Sequence, residues 1–163
     1  MSASLALVGP AGARAEKSGS PDPVATIVAE TGFVDDAYAF DGGGSRLAYI
    51  NSDAAKRSTI HVFDVAQARE IAQIDIAKVT TNPTSVAFVL DGDTLLVTAR
   101  TDRARPDAPH IAFVVTFAGK VLRRFGPASS IRLAHVDGVP LVVSFTKEIK
   151  KTGTTYRIVA NRL

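Results

Sequence analysis

Short runs of alternating apolar and polar residues fill most of this chain, and Asp-Gly or Gly-rich turns separate them. Residues 37–50, AYAFDGGGSRLAYI, read as strand, turn and strand, and the pattern returns at 86–98, VAFVLDGDTLLVT, and more loosely at 131–143, IRLAHVDGVPLVV. Alternation with a period of two predicts β-strands, and Asp-Gly between two such runs predicts a hairpin. The chain is therefore expected to be all-β.

The hairpins recur at a nearly fixed spacing. Phe40 aligns with Phe88, and Leu47 aligns with Leu95, each a step of 48 residues. Further apolar strands follow the hairpins at 59–65, 70–76, 110–117, 121–125 and, after the third hairpin, only at 155–160. Each full unit thus has four strands in about 45–50 residues, which is the size of a propeller blade.

This pattern resembles the WD-repeat, YVTN and TolB-like β-propellers over roughly residues 25–163. The resemblance lies in period and strand order, since the Gly-His and Trp-Asp dipeptides of true WD repeats are absent and the chain has no Trp. It implies antiparallel four-stranded, blade-like repeats that form a partial β-propeller of about two and a half to three blades. An ordinary β-sandwich, in which turns also recur every 8–12 residues or so, is the alternative.

The expected organisation is a signal-peptide-like remnant and linker at 1–23, followed by a repeat domain at 24–163. Its units are expected at about 35–79, 84–127 and 128–163, with a further strand at 24–30. Residues 5–15, LALVGPAGARA, are apolar and end in an A-x-A-like cleavage pattern, although no basic segment precedes them. We therefore expect a periplasmic or secreted protein, with a flexible tail as the alternative.

The charge distribution and the composition limit the classes of partner and site that are expected. Residues 1–80 carry 7 Lys and Arg against 10 Asp and Glu, whereas residues 81–163 carry 12 against 6. The basic residues fall in scattered loops without interleaved aromatic residues, which favours solvated loops over a nucleic-acid surface. The chain has no Cys, so it has no disulfide and no Cys-based metal site. No apolar run reaches the roughly 18–20 residues of a membrane helix.

Catalytic and cofactor motifs are not found, and no cofactor is expected. His61, His110 and His135 lack a partner at metal-ligand spacing, so each is expected to be a hydrogen-bonded strand residue. No G-x-S-x-G motif supplies a serine nucleophile. Asp35 and Asp36 are adjacent, so on a strand they point to opposite faces.

The Gly-rich turns are interpreted as hairpin chemistry. Residues 42–45, GGGS, are not followed by a helix start or by Gly-Lys-Ser/Thr, which excludes a phosphate-binding loop. Residues 91–93, DGD, lack the further oxygen ligands of a calcium loop. Gly92 and the 42–45 glycines are instead expected to take the positive φ values of tight turns.

The long polar loops carry the candidate binding face. Segments 51–58, 101–109 and 147–153 are each expected to join the second and third strands of a unit, at one end of the domain. Function in rigid all-β scaffolds usually resides on loops. The candidate binding residues are Asp53, Lys56, Arg57, Asp102, Arg103, Arg105, Lys147, Lys150 and Lys151.

The sequence thus favours a non-enzymatic, exported binding or scaffold module that recognises a protein or surface ligand. It has too few units for a closed propeller, so we expect a fragment of a larger protein, with self-association through open sheet edges and an open stack as the alternatives. The alternative functions are a sensing or gating domain of a larger hydrolase-type enzyme and a self-assembling structural β protein.

Overall fold

Eleven β-strands make up the described part of the chain, in which no residue is helical. A computed structural model describes residues 33–53, 55, 57–80, 82–89, 92–102 and 104–163, with side chains from Ala37 onward apart from Lys150. The segment 1–23 and the strand expected at 24–30 lie outside these ranges. The strands are β1 Phe33–Phe40, β2 Arg46–Ser52, β3 Ser58–Asp64, β4 Arg69–Asp75, β5 Pro83–Phe88, β6 Thr94–Arg100, β7 His110–Thr116, β8 Val121–Ala128, β9 Ser130–Val136, β10 Val139–Lys150 and β11 Gly153–Arg162.

The strands form three separate antiparallel sheets. Sheet A contains β1 to β4 and sheet B contains β5 to β8, each in chain order, while sheet C contains β9, β10 and β11. Two four-stranded meanders and one three-stranded meander confirm the predicted fold class of blade-like repeats.

The repeat seen in the sequence is also a repeat of strand register. Phe40 pairs with Leu47 across β1 and β2, and Phe88 pairs with Leu95 across β5 and β6. The 48-residue step therefore relates equivalent cross-strand pairs. Because the pairs are equivalent, sheets A and B turn their apolar side chains to corresponding faces.

The hairpin turns follow the predicted chemistry in two cases out of three. Asp137 (φ 51°) and Gly138 (φ 75°) form the two-residue β9–β10 turn, and Gly44 (φ 68°) lies in the β1–β2 turn. Two consecutive positive φ values match the twist of a two-residue hairpin. Gly43 and Gly92 have φ values outside the left-handed region, so the expected positive φ is wrong at these two positions.

Sheet B lies between sheets A and C and is buried on both faces. One face packs Val97, Phe113 and Val115 against Ile60 and Ile74 of sheet A. On the opposite face, a second cluster joins residues of sheets B and C, including Leu96, Val114, Phe125, Ile131 and Val142. Burial on both faces explains why β6 and β7 are almost continuously apolar, whereas strands with one solvated face alternate.

An ion pair fixes the edge between sheets A and B. The Asp41 carboxylate accepts hydrogen bonds from the Arg46 Nε (2.9 Å), the Arg46 backbone N–H (3.0 Å) and the Ser45 hydroxyl (2.9 Å). Held in this way, the Arg46 guanidinium lies 5.2 Å from the Phe88 ring centre and 5.8 Å from that of Phe117. The turn of sheet A is thereby clamped onto two aromatic rings of sheet B.

The expected third loop, 147–153, is wrong. Strand β10 continues to Lys150 and β11 begins at Gly153, so only residues 151 and 152 form the turn. Pairing of β9 with β10 ends at Ser130 and Phe145, whereas β10 and β11 stay paired to Lys150 and Gly153. Residues 146–157 thus extend beyond β9 as a two-stranded hairpin, here named the arm.

Candidate functional site

The connections at one end of the three sheets form the candidate binding face. Successive strands run in opposite directions, so the connections that follow even-numbered strands all emerge at the same end. We name this end the loop face. Its described residues are 53, 55, 57, 76–80, 82, 101, 102, 104–109, 129, 151 and 152.

A polar groove of about 360 Å³ opens on sheet A at the loop face. Thr59 pairs directly with Asp75 across β3 and β4, and alternation along the strands places Gln73 on the same face of the sheet. Thr59 is partly buried, while Gln73 and Asp75 are exposed. Among the described residues, its lining consists of Asp53, Arg57, Thr59, Gln73 and Asp75.

The Asp53–Arg57 pair closes the loop at the mouth of the groove. The Asp53 carboxylate accepts hydrogen bonds from the Arg57 Nε (2.7 Å) and the Arg57 backbone N–H (2.8 Å), and the Asp53 N–H donates to the Arg57 carbonyl (3.0 Å). The backbone hydrogen bond from Arg57, followed by that of its side chain, lowers the pKa of Asp53 below its usual value. Asp53 therefore stays a carboxylate at neutral pH, with Arg57 as its counter-ion.

Further polar groups lie on the same face of sheet A. Asn51 pairs with Thr59, and its Oδ1 is buried without a hydrogen-bond partner among the described residues. His61 Nδ1 lies 2.6 Å from Glu70 Oε1, and the His61 ring stacks on Tyr49 at 5.0 Å. Burial, followed by the charge of Glu70, raises the pKa of Tyr49. A buried acceptor without a partner is costly, so Asn51 adds to the hydrogen-bonding capacity of this face.

The groove offers hydrogen-bond acceptors more than donors. Its described lining residues supply two carboxylates, a hydroxyl and an amide, and the guanidinium of Arg57 is held by Asp53. Such a set suits a ligand group that is cationic and rich in N–H donors. Within the described ranges, no three His, Asp or Glu side chains converge as a metal site.

The predicted binding residues are distributed over this end of the molecule. Asp53 and Arg57 line the groove, and Arg105 pairs with Asp107 at 3.1 Å within its own loop. Asp102 accepts the Ala104 backbone N–H.

Lys147 lies within β10, where its N–H donates to the Ser129 hydroxyl, and not in the predicted loop. The backbone of Lys150 ends the same strand, Lys151 is exposed in the turn, and Lys56 and Arg103 lie outside the described residues.

Three lining residues escaped the sequence analysis. Thr59, Gln73 and Asp75 lie in strands, whereas candidates were sought only in loops. The sequence signal that could have identified them is the polar residues at the start of β3 and at the end of β4, next to the first predicted loop. A search of strand ends next to that loop would have found Thr59 and Asp75.

The predicted histidine positions are also found in strands. His61 and His110 lie in β3 and β7, the third strands of sheets A and B, and His135 lies in β9. His110 Nδ1 lies 3.1 Å from the Ser129 carbonyl oxygen, while the side chain of His135 is exposed. His61 is thus the histidine that lies on the same face of sheet A as the groove.

Comparison with known proteins supports the fold. The sequence matches no protein-family model and no curated protein. Its structure is similar to the β-propeller domain of the Trilobed protease from Pyrococcus furiosus, described as having an open velcro topology, with a TM-score of 0.52 and 13% identity over 85% of this chain. It is also similar to the acylaminoacyl peptidase of Pyrococcus horikoshii, with a TM-score of 0.55 and 12% identity over 87% of this chain.

The match is partial in length. This chain spans 45% of the Trilobed protease propeller chain and 26% of the acylaminoacyl peptidase chain. The described residues contain no helix that is long and apolar enough to cross a membrane. At the level of fold, the chain is a partial β-propeller of blade-like antiparallel sheets.

Proposed function

We propose that this chain is a non-enzymatic binding module whose loop face recognises a protein partner through a basic side chain. The observation that carries the proposal is the acceptor-rich groove formed by Asp53, Thr59, Gln73 and Asp75. A Lys or Arg side chain of the partner would donate hydrogen bonds to Asp75, whose Oδ1 also accepts the Ala77 backbone N–H, and to the side-chain oxygens of Thr59 and Gln73. The charge of the Asp75 carboxylate would strengthen these hydrogen bonds.

The rigidity of the groove supports this role. Its walls are neighbouring strands of sheet A, and the Asp53–Arg57 hydrogen bonds close the adjoining loop. Side chains on paired strands lose less freedom on binding than side chains on open loops, so less of the binding energy is spent on ordering them.

Peptide titration tests the proposal. Acetylated and amidated Gly-Lys-Gly and Gly-Arg-Gly peptides are added to ¹⁵N-labelled full chain, with Gly-Gln-Gly as the uncharged probe. We expect saturable shifts at the amides of Thr59, Gln73 and Asp75 with the basic peptides alone. The variant Asp75→Asn should weaken binding about tenfold, as expected for the loss of a charged hydrogen-bond acceptor, while the matched control Asp107→Asn should bind as the wild type does.

Two results would count against the groove. Shifts spread over all acidic surface residues would indicate unspecific charge attraction, and equal binding of Gly-Gln-Gly would show that the cation is not recognised. Either outcome is read from the same titration, without assuming a natural partner.

The second candidate is a sensing or gating domain that belongs to a peptidase. Both similar structures carry the name of a protease or peptidase, although such distant similarity concerns the fold. An antibody against the chain, used on an extract of its source cells, would distinguish the two. A band far above 17.2 kDa that cleaves peptide substrates favours the peptidase context, whereas a band near 17.2 kDa without such activity favours the free module.

Export is part of the proposal. The supporting observation is the apolar, small-residue segment 5–15 with its A-x-A-like end. Expression of the full chain in a bacterial host, followed by fractionation and N-terminal sequencing, is the test. A periplasmic form that begins near Glu16 supports export, and an uncleaved cytoplasmic form refutes it.

A further inference from the structure

Strand β11 leaves one edge of sheet C unpaired. Sheets A and B have four strands each, whereas the described residues of sheet C form three, and β11 pairs with β10 alone. No described strand lies beside β11 at the position that β4 and β8 occupy in the other two sheets. The N–H and carbonyl groups along such an edge are a template for pairing with another strand.

The edge of β11 lacks the features that protect the outer edges of sheets A and B. The pairing of β3 with β4 and that of β7 with β8 both contain register shifts, and β8 also contains Pro127. Strand β11 has ten residues and no Pro, and it pairs with β10 without a register shift from Gly153 to Arg162. Bulges, prolines and short strands are the usual means of blocking edge pairing, so the edge of β11 stays open to it.

The even-numbered residues of β11 direct their backbone groups to the unpaired edge. The Leu163 N–H donates to the Pro140 carbonyl of β10 (3.2 Å). The carbonyl of Arg162, one residue earlier, instead accepts a hydrogen bond from the Arg123 guanidinium of sheet B (2.7 Å). Because successive residues of a strand direct their backbone groups to opposite edges, the residues in phase with Arg162 face the unpaired edge. They are Thr154, Tyr156, Ile158, Ala160 and Arg162.

Sheet B leaves the unpaired edge of β11 accessible. Its strands β6, β7 and β8 pack against β9 and β10. Within β11, Val159 and Asn161 are partly buried and the other residues are exposed, with Ile158 71% exposed and Tyr156 61% exposed. A second strand can therefore approach β11 without displacing a described strand.

The sequence of β11 fits a second copy of itself in one antiparallel register. In this register Ile158 lies opposite Ile158 of the second copy, and Tyr156 lies opposite Ala160. Every outward residue is then paired, whereas any other two-fold centre leaves at least one of them unpaired. A centre at Arg157 would also set two like charges opposite each other, which destabilises a sheet. The strand is therefore complementary to itself about Ile158.

We propose that two copies of this chain pair through β11 about a two-fold axis at Ile158. The two three-stranded sheets then become one antiparallel sheet of six strands. Each copy offers the same edge, so the contact is isologous and the assembly closes as a dimer. The exposed side chains of Ile158 and Tyr156 gain Ile158 and Ala160 of the second copy as directly paired apolar neighbours.

The dimer is compatible with peptide binding and does not depend on it. The groove lies on the outer side of sheet A, and sheet B lies between sheets A and C. The contact through β11 therefore leaves the groove open. Because association is measured without peptide, its failure is distinct from failure of the proposed function.

Light scattering after size exclusion of the full chain, over a tenfold concentration range, tests the association. We expect a dimer of about twice 17.2 kDa. A monomer at every concentration, or a series of larger species, would overturn the proposal.

Charges placed at the two-fold axis test where the strands meet. Ile158→Lys and Ile158→Glu each set like charges opposite one another, so each variant alone should be monomeric. An equimolar mixture sets opposite charges against each other and should form a heterodimer. Far-UV circular dichroism confirms that each variant is folded. The proposal is wrong if either variant alone still forms a dimer, or if the mixture stays monomeric.

Ile149→Lys is the matched control for edge pairing. Ile149 is 76% exposed on the same side of sheet C as Ile158, but it lies in β10, one strand away from the contact. This variant should therefore still form the dimer. If it is monomeric, the two copies meet through the faces of sheet C and not through the edge of β11.

Single cysteines measure the register directly, since the chain has no Cys of its own. In the proposed pairing the two Cα atoms of residue 158 are about 5.5 Å apart, a distance that a disulfide spans, whereas those of residue 156 are offset by about 13 Å along the strands. Ile158→Cys should form an oxidised dimer, and Tyr156→Cys should not. Equal cross-linking of the two variants, or none in Ile158→Cys, would refute the register, and this measurement decides it even if a charged variant does not fold.

Discussion

Replacement of Asp41 by Asn probes the link between sheets A and B. The Asp41 side chain is 4% exposed and that of Arg46 is 15% exposed. Burial raises the pKa of Asp41, but the hydrogen bonds from Arg46 and Ser45 together outweigh burial and lower it from 3.8 to about 2. At 1.36 kcal/mol for each pKa unit, this shift corresponds to about 2 kcal/mol of folding stability at neutral pH.

The pH dependence follows from the direction of the shift. Because the pKa is lower in the folded state, the stabilisation is present above the unfolded value of 3.8 and is lost as the pH falls through the folded value of about 2. The difference in free energy of unfolding between wild type and Asp41→Asn should therefore be about 2 kcal/mol at pH 7 and should shrink below pH 4 or so.

Urea unfolding followed by far-UV circular dichroism measures this difference, down to the lowest pH at which the wild type is folded. The control Asp107→Asn removes an exposed carboxylate of a surface pair and should change stability by less than about 0.5 kcal/mol. The reasoning is refuted if Asp41→Asn lies within about 0.5 kcal/mol of wild type at pH 7, or if the difference does not change with pH.

Three further substitutions test the packing. An added Cβ at Gly126 (φ 99°) would lie 2.7 Å from the His110 carbonyl oxygen, so Gly126→Ala should lower the free energy of unfolding by about 2 kcal/mol or more. The control Gly43→Ala, which has open space around it, should not lower it. An unchanged melting temperature for Gly126→Ala would contradict the strand arrangement. Phe113 is fully buried between sheets A and B, so Phe113→Ala should cost about 3–5 kcal/mol in urea unfolding, and a loss under about 1 kcal/mol would place it outside the core. Arg105→Ala should stay within about 0.5 kcal/mol of wild type in the same assay, since its pair with Asp107 is exposed, and loss of folding would show that the 101–109 loop is part of the core.

The strand order and the repeat could be predicted because they depend on local alternation. Phe40, Leu47, Phe88 and Leu95 are apolar strand residues that flank short turns, and such residues fix register without help from distant parts of the chain. The blade-like units follow from this pattern alone.

The groove could not be predicted in the same way because an irregular pairing creates it. The β3–β4 register shifts between Val62 and Phe63. Without that shift, Thr59 would face the apolar Ile74 in place of Asp75. An extra residue in one strand reverses the faces beyond it, and alternation along a single strand does not reveal it.

The contact of Arg46 with two aromatic rings of the next repeat could not be predicted from the sequence either. Residues 42–45 were correctly predicted to form a turn, but Phe88 and Phe117, which contact Arg46, lie more than 40 positions away from it in the sequence. Contacts of this kind depend on how two sheets stack. The course of β10 through Lys147 was missed for the related reason that its polar residues resemble a loop, although a projecting hairpin is solvated on both faces.

The central claim is that the repeats stack face to face as blades, and nuclear Overhauser contacts around Arg46 test it most directly. In the folded chain the Arg46 guanidinium carbon lies 5.2 Å from the Phe88 ring centre and 5.8 Å from that of Phe117. The account predicts cross-peaks from the Arg46 side-chain protons to both rings. Cross-peaks from Arg46 to residues of sheet A alone, with the pairing inside each sheet intact, would show that the sheets form but do not stack.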